Sequence, residues 1–235
     1  MAEKAIETPA VGKKRQTRAM VFELENLAVN GRQVLFDVLK RALAEKDVDI
    51  KPYMFVRYCL DLPLKQGIAE LLKIASKGRV SEDKILETVS AKYVEAVTGS
   101  RQKLSADLEK ILKKAASRNL RLGAVSNLPA DSARQIVQAL VGDIHLPLFS
   151  YSVENKGHPT ADAWLKLAKQ VGVVPPLCLA VATSMRSAKG ALSAGMRCAA
   201  VLDDFTRTQD FGGVDCVVEG LDKSTSEELL GIMEP

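Results

Sequence analysis

The chain has 235 residues, 47% hydrophobic and 26% charged, with 33 basic and 29 acidic side chains and a net charge of +4. That is ordinary globular composition; it excludes collagen, coiled coil and disordered chains and leaves ample length for a buried core. The charge is uneven: residues 1–18 carry Lys4, Lys13, Lys14, Arg15 and Arg18 against Glu3 and Glu7, a basic tail of +3, and the remaining body is +1.

In chain order, Ala19-Met20-Val21-Phe22-Glu23-Leu24-Glu25 is a short apolar run that alternates toward its end and meets Asn26, which predicts a strand stopping in a turn. Val34, Leu35, Val38, Leu39 and Ala42 line one helical face, and Ile68, Leu71, Leu72 and Ala75 line another. Ser81, followed by Glu82 and Asp83, reads as a helix start, with Ile85, Val89 and Val94 inward. Residues 30–100 contain no convincing strand, so this block is predicted all-helical.

From Leu104 the pattern alternates. A helix with Leu104, Leu108, Ile111, Leu112 and Ala115 inward precedes a strand over 120–125 and a break at Ser126-Asn127-Leu128-Pro129. A helix from Asp131, a strand over 147–153, a helix over 160–171 and a strand over 177–182 follow. Then come a helix over 186–194, strands over 197–202 and 214–218, and a short helix near 227–233. Repeated strand–helix–strand units predict an α/β fold: a Rossmann-like parallel sheet with helices on both faces and an inserted all-helical cap. The expected organisation is a disordered tail over 1–18, a core over 19–29 and 101–235, and a cap over 30–100.

Several function classes are disfavoured. The near-neutral body lacks the clustered basic excess of a nucleic-acid surface. No apolar run approaches the roughly 18 residues of a membrane span, and residues 1–18 hold no signal-peptide core. Cys59, Cys178, Cys198 and Cys216 sit in apolar segments without metal-ligand spacing, as expected of reduced thiols in a cytoplasmic protein.

In such a sheet, ligands gather at the carboxyl ends of the strands. Those ends are Glu23-Leu24-Glu25-Asn26, Ser126-Asn127, the loop Glu154-Asn155-Lys156-Gly157-His158-Pro159, and Ala182-Thr183-Ser184. Period-two spacing would put Glu23 and Glu25 on one face of their strand, a pair suited to acid–base or metal chemistry. His145, Trp164, Arg57 and Lys65 are read as exposed, packing or solvated side chains.

These ends resemble the motifs of the haloacid dehalogenase superfamily. Phe22-Glu23-Leu24-Glu25-Asn26-Leu27-Ala28 is similar to its opening F-D-x-D-G-T-L, and Ser126-Asn127 to its second motif. Gly157-His158-Pro159-Thr160-Ala161-Asp162-Ala163-Trp164 is similar to G-K-P-x-P-D-x-F, and Cys178-Leu179-Ala180-Val181-Ala182-Thr183-Ser184 to C-L-x-[FV]-[EG]-D-S. The match runs over roughly 19–233 and is nearest the phosphoglycolate phosphatase and β-phosphoglucomutase branch, whose helical cap follows the first motif.

The resemblance implies roles position by position. Glu23 stands where the family's nucleophilic Asp attacks phosphorus, and Glu25 where its acid–base Asp stands. Ser126, Asn127 and Lys156 would hold phosphate, His158 replaces the charge-neutralising Lys two residues beyond Lys156, and Thr183 replaces the acid that helps hold Mg²⁺. Each Glu adds a methylene, and in-line attack tolerates little displacement, about 1 Å costing ~10²-fold. His158 is mostly neutral at pH 7 by its reference behaviour, and Thr183 removes a metal ligand. The departures imply a site without aspartate-based phosphatase or mutase chemistry, serving binding, regulation or scaffolding. No cofactor is then expected, and the partner is a protein or a small phosphorylated ligand. The alternative is a weak or altered phosphohydrolase acting with Mg²⁺ on a small phosphorylated metabolite. Leu27, replacing a Thr, is expected to fill space near the site.

Overall fold

The computed structural model describes residues 16–99, 103–152 and 156–233. Six parallel strands form one sheet: β1 (Ala19–Glu23), β2 (Arg121–Ser126), β3 (Leu148–Ser150), β4 (Cys178–Ala182), β5 (Arg197–Val201) and β6 (Cys216–Val218), in the order β3-β2-β1-β4-β5-β6. β1 lies at the centre, with Glu23 opposite Val125 of β2 and Phe22 opposite Val181 of β4. Every residue of β1 and β4 is buried. This is why those strands read as apolar runs: a parallel sheet covered on both faces has no solvent side.

Alternate residues feed two cores. Met20, Phe22, Leu122, Leu179 and Val181 face α6 (Ala106–Ser117), α7 (Ala130–Val141) and α10 (Lys223–Ile232). Ala19, Val21, Cys178, Ala180 and Ala182 face α8 (Ala161–Val171) and α9 (Met185–Ser193). The small side chains of β4 on this second face leave room for Trp164, which is fully buried and donates its indole N–H to the Ser187 carbonyl at 3.3 Å. Trp164 is thus a packing residue, as read from the sequence.

Between β1 and β2 lie α1 (Leu24–Val29), α2 (Gly31–Ala44), α3 (Pro52–Tyr58), α4 (Leu64–Ile74) and α5 (Glu82–Thr98). The helices α2–α5 enclose their own apolar cluster, built on Phe36, Leu39, Phe55, Ile68, Leu71 and Val89. Ser81 caps α5 by accepting from the Lys84 N–H at 3.4 Å, as its sequence suggests. The core loop after β5 reaches this cluster. Phe205 packs against Phe36 and Phe55 with ring centroids 5.5 and 5.1 Å away.

Several expectations are corrected. The first strand ends at Glu23, and Leu24 opens α1, because Leu24, Leu27 and Ala28 bury together at helical spacing. Glu25 therefore lies in the first turn of a helix and not two residues along a strand. The chain does not turn at Asn26, which lies within α1; it turns at Asn30, a left-handed residue (φ 50°) between α1 and α2. The third and sixth strands are three-residue edges, shorter than the sequence suggests, and residue 153 lies outside the described residues. Most of the basic tail, residues 1–15, also lies outside them, but Arg18 donates to the Met233 carbonyl and so packs beside the end of α10.

Among the described residues no helix is long and apolar enough to cross a membrane. All four cysteines are free. Burial pushes the Cys59 and Cys198 thiols up to about 12, which leaves them un-ionised and poorly nucleophilic.

Candidate functional site

The carboxyl ends of β1, β2 and β4 meet beneath α2–α5, and a cavity of about 310 Å³ lies between sheet and cap. Its floor is Glu23, Glu25, Asn26 and Asn127; its walls come mainly from the cap, with Leu35, Phe55, Leu60, Leu62, Leu86 and Val94.

Glu23 is 5% exposed and fully engaged. The Thr183 N–H donates to its Oε1 at 2.7 Å, and the Thr183 hydroxyl donates to its Oε2 at 2.9 Å. Asn26 Nδ2 adds a third bond to Oε2 at 3.2 Å. The extra methylene of Glu lets this carboxylate cross to β4, where its ends are tied.

Thr183 is itself saturated. Its Oγ1 accepts from Asn26 Nδ2 at 3.0 Å and from Arg32 Nη2 at 3.1 Å. Arg32, 6% exposed, also forms an ion pair with Asp203 in the loop after β5. Asp203 in turn accepts the Phe205 N–H at 2.9 Å. A continuous chain Glu23–Thr183–Arg32–Asp203 thus crosses the site, with a guanidinium at its centre.

The family's divalent cation does not suit this arrangement. Mg²⁺ takes near-octahedral oxygen ligands, usually including one or two carboxylates. Here both Glu23 oxygens already accept protein donors, and Thr183 offers no charge and accepts from the Arg32 cation. Among the described residues no group of three or more His, Cys, Asp or Glu side chains is placed to hold a metal.

Glu25 forms a second, parallel arrangement. The Ser126 hydroxyl donates to its Oε2 at 2.8 Å and the Asn127 N–H donates to its Oε1 at 2.6 Å. These donors sit where the family resemblance puts phosphate. Burial pushes the Glu25 carboxyl up to about 7, against the lowering effect of the Asn127 and Ser126 bonds and with a smaller upward push from Glu23.

Gly31 brings α5 close to this carboxylate. A Cβ there would stand 2.8 Å from Tyr93 Oη and 3.1 Å from Glu25 Cβ, so Tyr93 and Glu25 converge on a position where any side chain would push one of them aside. Tyr151, just beyond β3, is 4% exposed and also lines the cavity. Burial and then the nearby Glu25 charge hold both phenols well above their ordinary range.

The cap and core also meet at Asp61. Its carbonyl lies 3.0 Å from His158 Nδ1, which must therefore be the protonated ring nitrogen. Its carboxylate accepts from Gln209 at 3.3 Å, and Gln209 caps the N-terminus of α9 by accepting the Met185 N–H at 2.8 Å. Gly157, at φ 75°, presses against Leu62, whose carbonyl oxygen would clash with a Cβ there.

The structure thus brings Glu23, Asn26 and Thr183 together, and separately Glu25, Ser126 and Asn127. His158 faces the cap loop and does not line the cavity; Lys156 is exposed and does not line it either. Leu27 packs in the core below α1 instead of filling the cavity. His145 is exposed, Arg57 is exposed, and Lys65 is exposed beside Asp83, as their segments suggest.

Sequence reasoning missed Arg32, Asp61, Tyr93, Tyr151 and Asp203. Asp203 and Tyr151 follow strand ends, so the rule that sites gather there was a usable signal. Arg32 carried another: a cation in the first turn of a helix opposes the helix dipole and needs a reason. Tyr93 offered no signal beyond its place on α5.

Comparison with known proteins fits this architecture. The family model for haloacid dehalogenase-like hydrolases matches residues 20–201. Protein CbbY of Rhodobacter capsulatus is 23% identical over 156 residues, 63% of this chain and 69% of that protein. Among solved structures, CbbY of Rhodobacter sphaeroides in complex with phosphate superposes with a TM-score of 0.69 at 16% identity, over 87% of this chain and 95% of that one. β-Phosphoglucomutase of Clostridium difficile gives 0.70 at 14% identity, over 92% and 98%. A predicted phosphoglycolate phosphatase of Haemophilus somnus gives 0.70 at 16%, over 94% and 100%. With its family-model match spanning most of the sheet and the whole cap, this chain belongs to the haloacid dehalogenase-like hydrolase family.

Proposed function

We propose that this chain is a binding module on a hydrolase fold, without aspartate-type phosphatase or mutase activity. One observation carries the reading. The Ser126 hydroxyl and the Asn127 N–H, the donors that would receive a phosphoryl group, are both taken by the Glu25 carboxylate. An internal anion thus occupies the anion subsite. The Arg32 guanidinium is tied in the same way, to Asp203 and to the Thr183 hydroxyl that donates to Glu23, so the cation nearest that carboxylate is also committed within the protein. Phosphoryl transfer depends on positioning and charge neutralisation, and both are committed here to contacts within the protein.

The test is turnover of p-nitrophenyl phosphate and a panel of phosphorylated metabolites, with Mg²⁺ present. The expected result is no hydrolysis above the buffer rate and no difference between the wild type and Glu23→Gln. Robust turnover that Glu23→Gln abolishes would overturn the proposal.

The second reading, a phosphohydrolase of a small phosphorylated metabolite, draws on the phosphate-bound CbbY structure and the phosphoglycolate phosphatase among its structural neighbours. It requires Glu25 to swing away from Ser126 and Asn127 before a phosphate can enter. Phosphate binding by the wild-type chain, read in the same assays, would favour it. A cytoplasmic location accords with four unpaired cysteines.

A further inference from the structure

We infer that the cavity between sheet and cap takes a compact apolar molecule bearing a protonated amine, its ammonium held by Glu25 and Tyr151. This rests on the non-catalytic reading above and names the ligand chemistry of the same site.

Size and wall chemistry come first. A volume of about 310 Å³ lies at the lower end of the range typical of small-molecule pockets, roughly 300–1,000 Å³. The walls are mainly the leucines, Phe55 and Val94 of the cap side, surfaces that favour an aliphatic or aromatic body, with Ser90, Tyr93 and Ser152 among them.

Charge comes second. Glu23, Glu25 and Asp61 line the cavity, and Arg32 is the one basic side chain among the described lining residues. Arg32 is already paired with Asp203 and bonded to Thr183. An anionic ligand would enter a low-dielectric space lined by like charge; a cation would supply the countercharge that the buried Glu25 lacks.

The third observation is independent of the carboxylates. Tyr151 is more than nine-tenths buried, and its hydroxyl makes no hydrogen bond among the described residues. It shares the cavity lining with Glu23, Glu25, Asp61 and Tyr93, the polar part of that lining. The phenol oxygen is accessible and has no protein partner among the described residues, so it is open to a ligand in the cavity. An ammonium meets it well, with three donors for the phenol oxygen and for the lone pairs that Ser126 and Asn127 leave free on Glu25.

The experiment is titration calorimetry of the full chain at pH 8 with four probes: phenethylamine, 2-phenylethanol, 3-phenylpropionate and inorganic phosphate. Phenethylamine is expected to bind at least tenfold more tightly than the alcohol, and the two anions not to bind. Glu25→Gln should abolish the preference for amine over alcohol, and Tyr151→Phe should weaken amine binding several-fold. Leu86→Trp, which fills the cavity from its wall, should remove binding of both amine and alcohol and serves if the Glu25 variant does not fold. Equal affinity for amine and alcohol, tighter binding of either anion, or no binding of any probe would overturn the inference. Absence of amine binding together with absence of phosphatase turnover would defeat this inference alone, whereas phosphate binding with turnover would defeat the non-catalytic reading as well.

Discussion

The Ser126 hydroxyl lies 2.8 Å from Glu25 Oε2 and donates to it, so the side chain best placed to hold a phosphate oxygen holds a carboxylate of its own chain. Removing that carboxylate should return the donors to an external anion. Glu25→Ala is expected to bind inorganic phosphate with a dissociation constant on the order of 1 mM, since two bonds to a charged group are worth roughly 1.5–3 kcal/mol each before the cost of association. The wild type should bind none. Phosphorus NMR line broadening on titration would measure both.

Stability should depend on pH through the same residue. Burial raises the Glu25 carboxyl from an ordinary value near 4.5 to about 7 in the folded protein. The folded state therefore holds the proton more tightly than the unfolded chain. Its contribution is complete below about pH 4.5 and is lost as pH rises through about 7. Between pH 5 and pH 8 the loss is roughly 2–3 kcal/mol. Urea denaturation at several pH values should show it, and Glu25→Gln should flatten this part of the profile.

Arg32 joins the cap to two core elements, through Thr183 after β4 and Asp203 after β5. Arg32→Met keeps most of the volume but strands the Asp203 carboxylate and one acceptor on Thr183. A loss of about 2–4 kcal/mol is expected in chemical denaturation. Arg32→Lys should recover part of it, because an ammonium retains the charge without the planar fork that bonds both partners at once.

Gly157 tests the seam between the cap loop and the core. At φ 75° any other residue is strained, and here its Cβ would also meet the Leu62 carbonyl. Gly157→Ala should cost at least about 1–3 kcal/mol and part His158 from the Asp61 carbonyl. Loss of the hydrogen-bonded His158 Nδ1 proton resonance would report the second effect.

The sheet was legible because burial on both faces leaves a local trace: β1, β2, β4 and β5 are apolar runs long enough to stand out. The helix starts at Ser81 and Thr160 are legible for a similar reason, since each hydroxyl accepts from an N–H three residues on. The site was only half legible. Glu23 and Glu25 stand out at the end of β1, but alternation along the strand gave the wrong geometry for Glu25, because burial of Leu24, Leu27 and Ala28 starts a helix there. What neutralises those carboxylates is remote in sequence. Arg32 meets Asp203 across 171 positions, and Glu23 meets Thr183 across 160. Pairings of that separation depend on the order of strands in the sheet, which no local pattern records.

The three phenylalanines at the cap bear on ligand exchange. Phe205 comes from the core yet is buried among cap residues, between Phe36 and Phe55. Lifting the cap must draw that ring into water, at about 2 kcal/mol for the area alone, a roughly 30-fold bias toward the closed arrangement. The cap is bolted to its sheet by an aromatic peg. A molecule in the cavity is then retained by the folded chain itself, and its residence time should lengthen or shorten with how firmly Phe205 is seated.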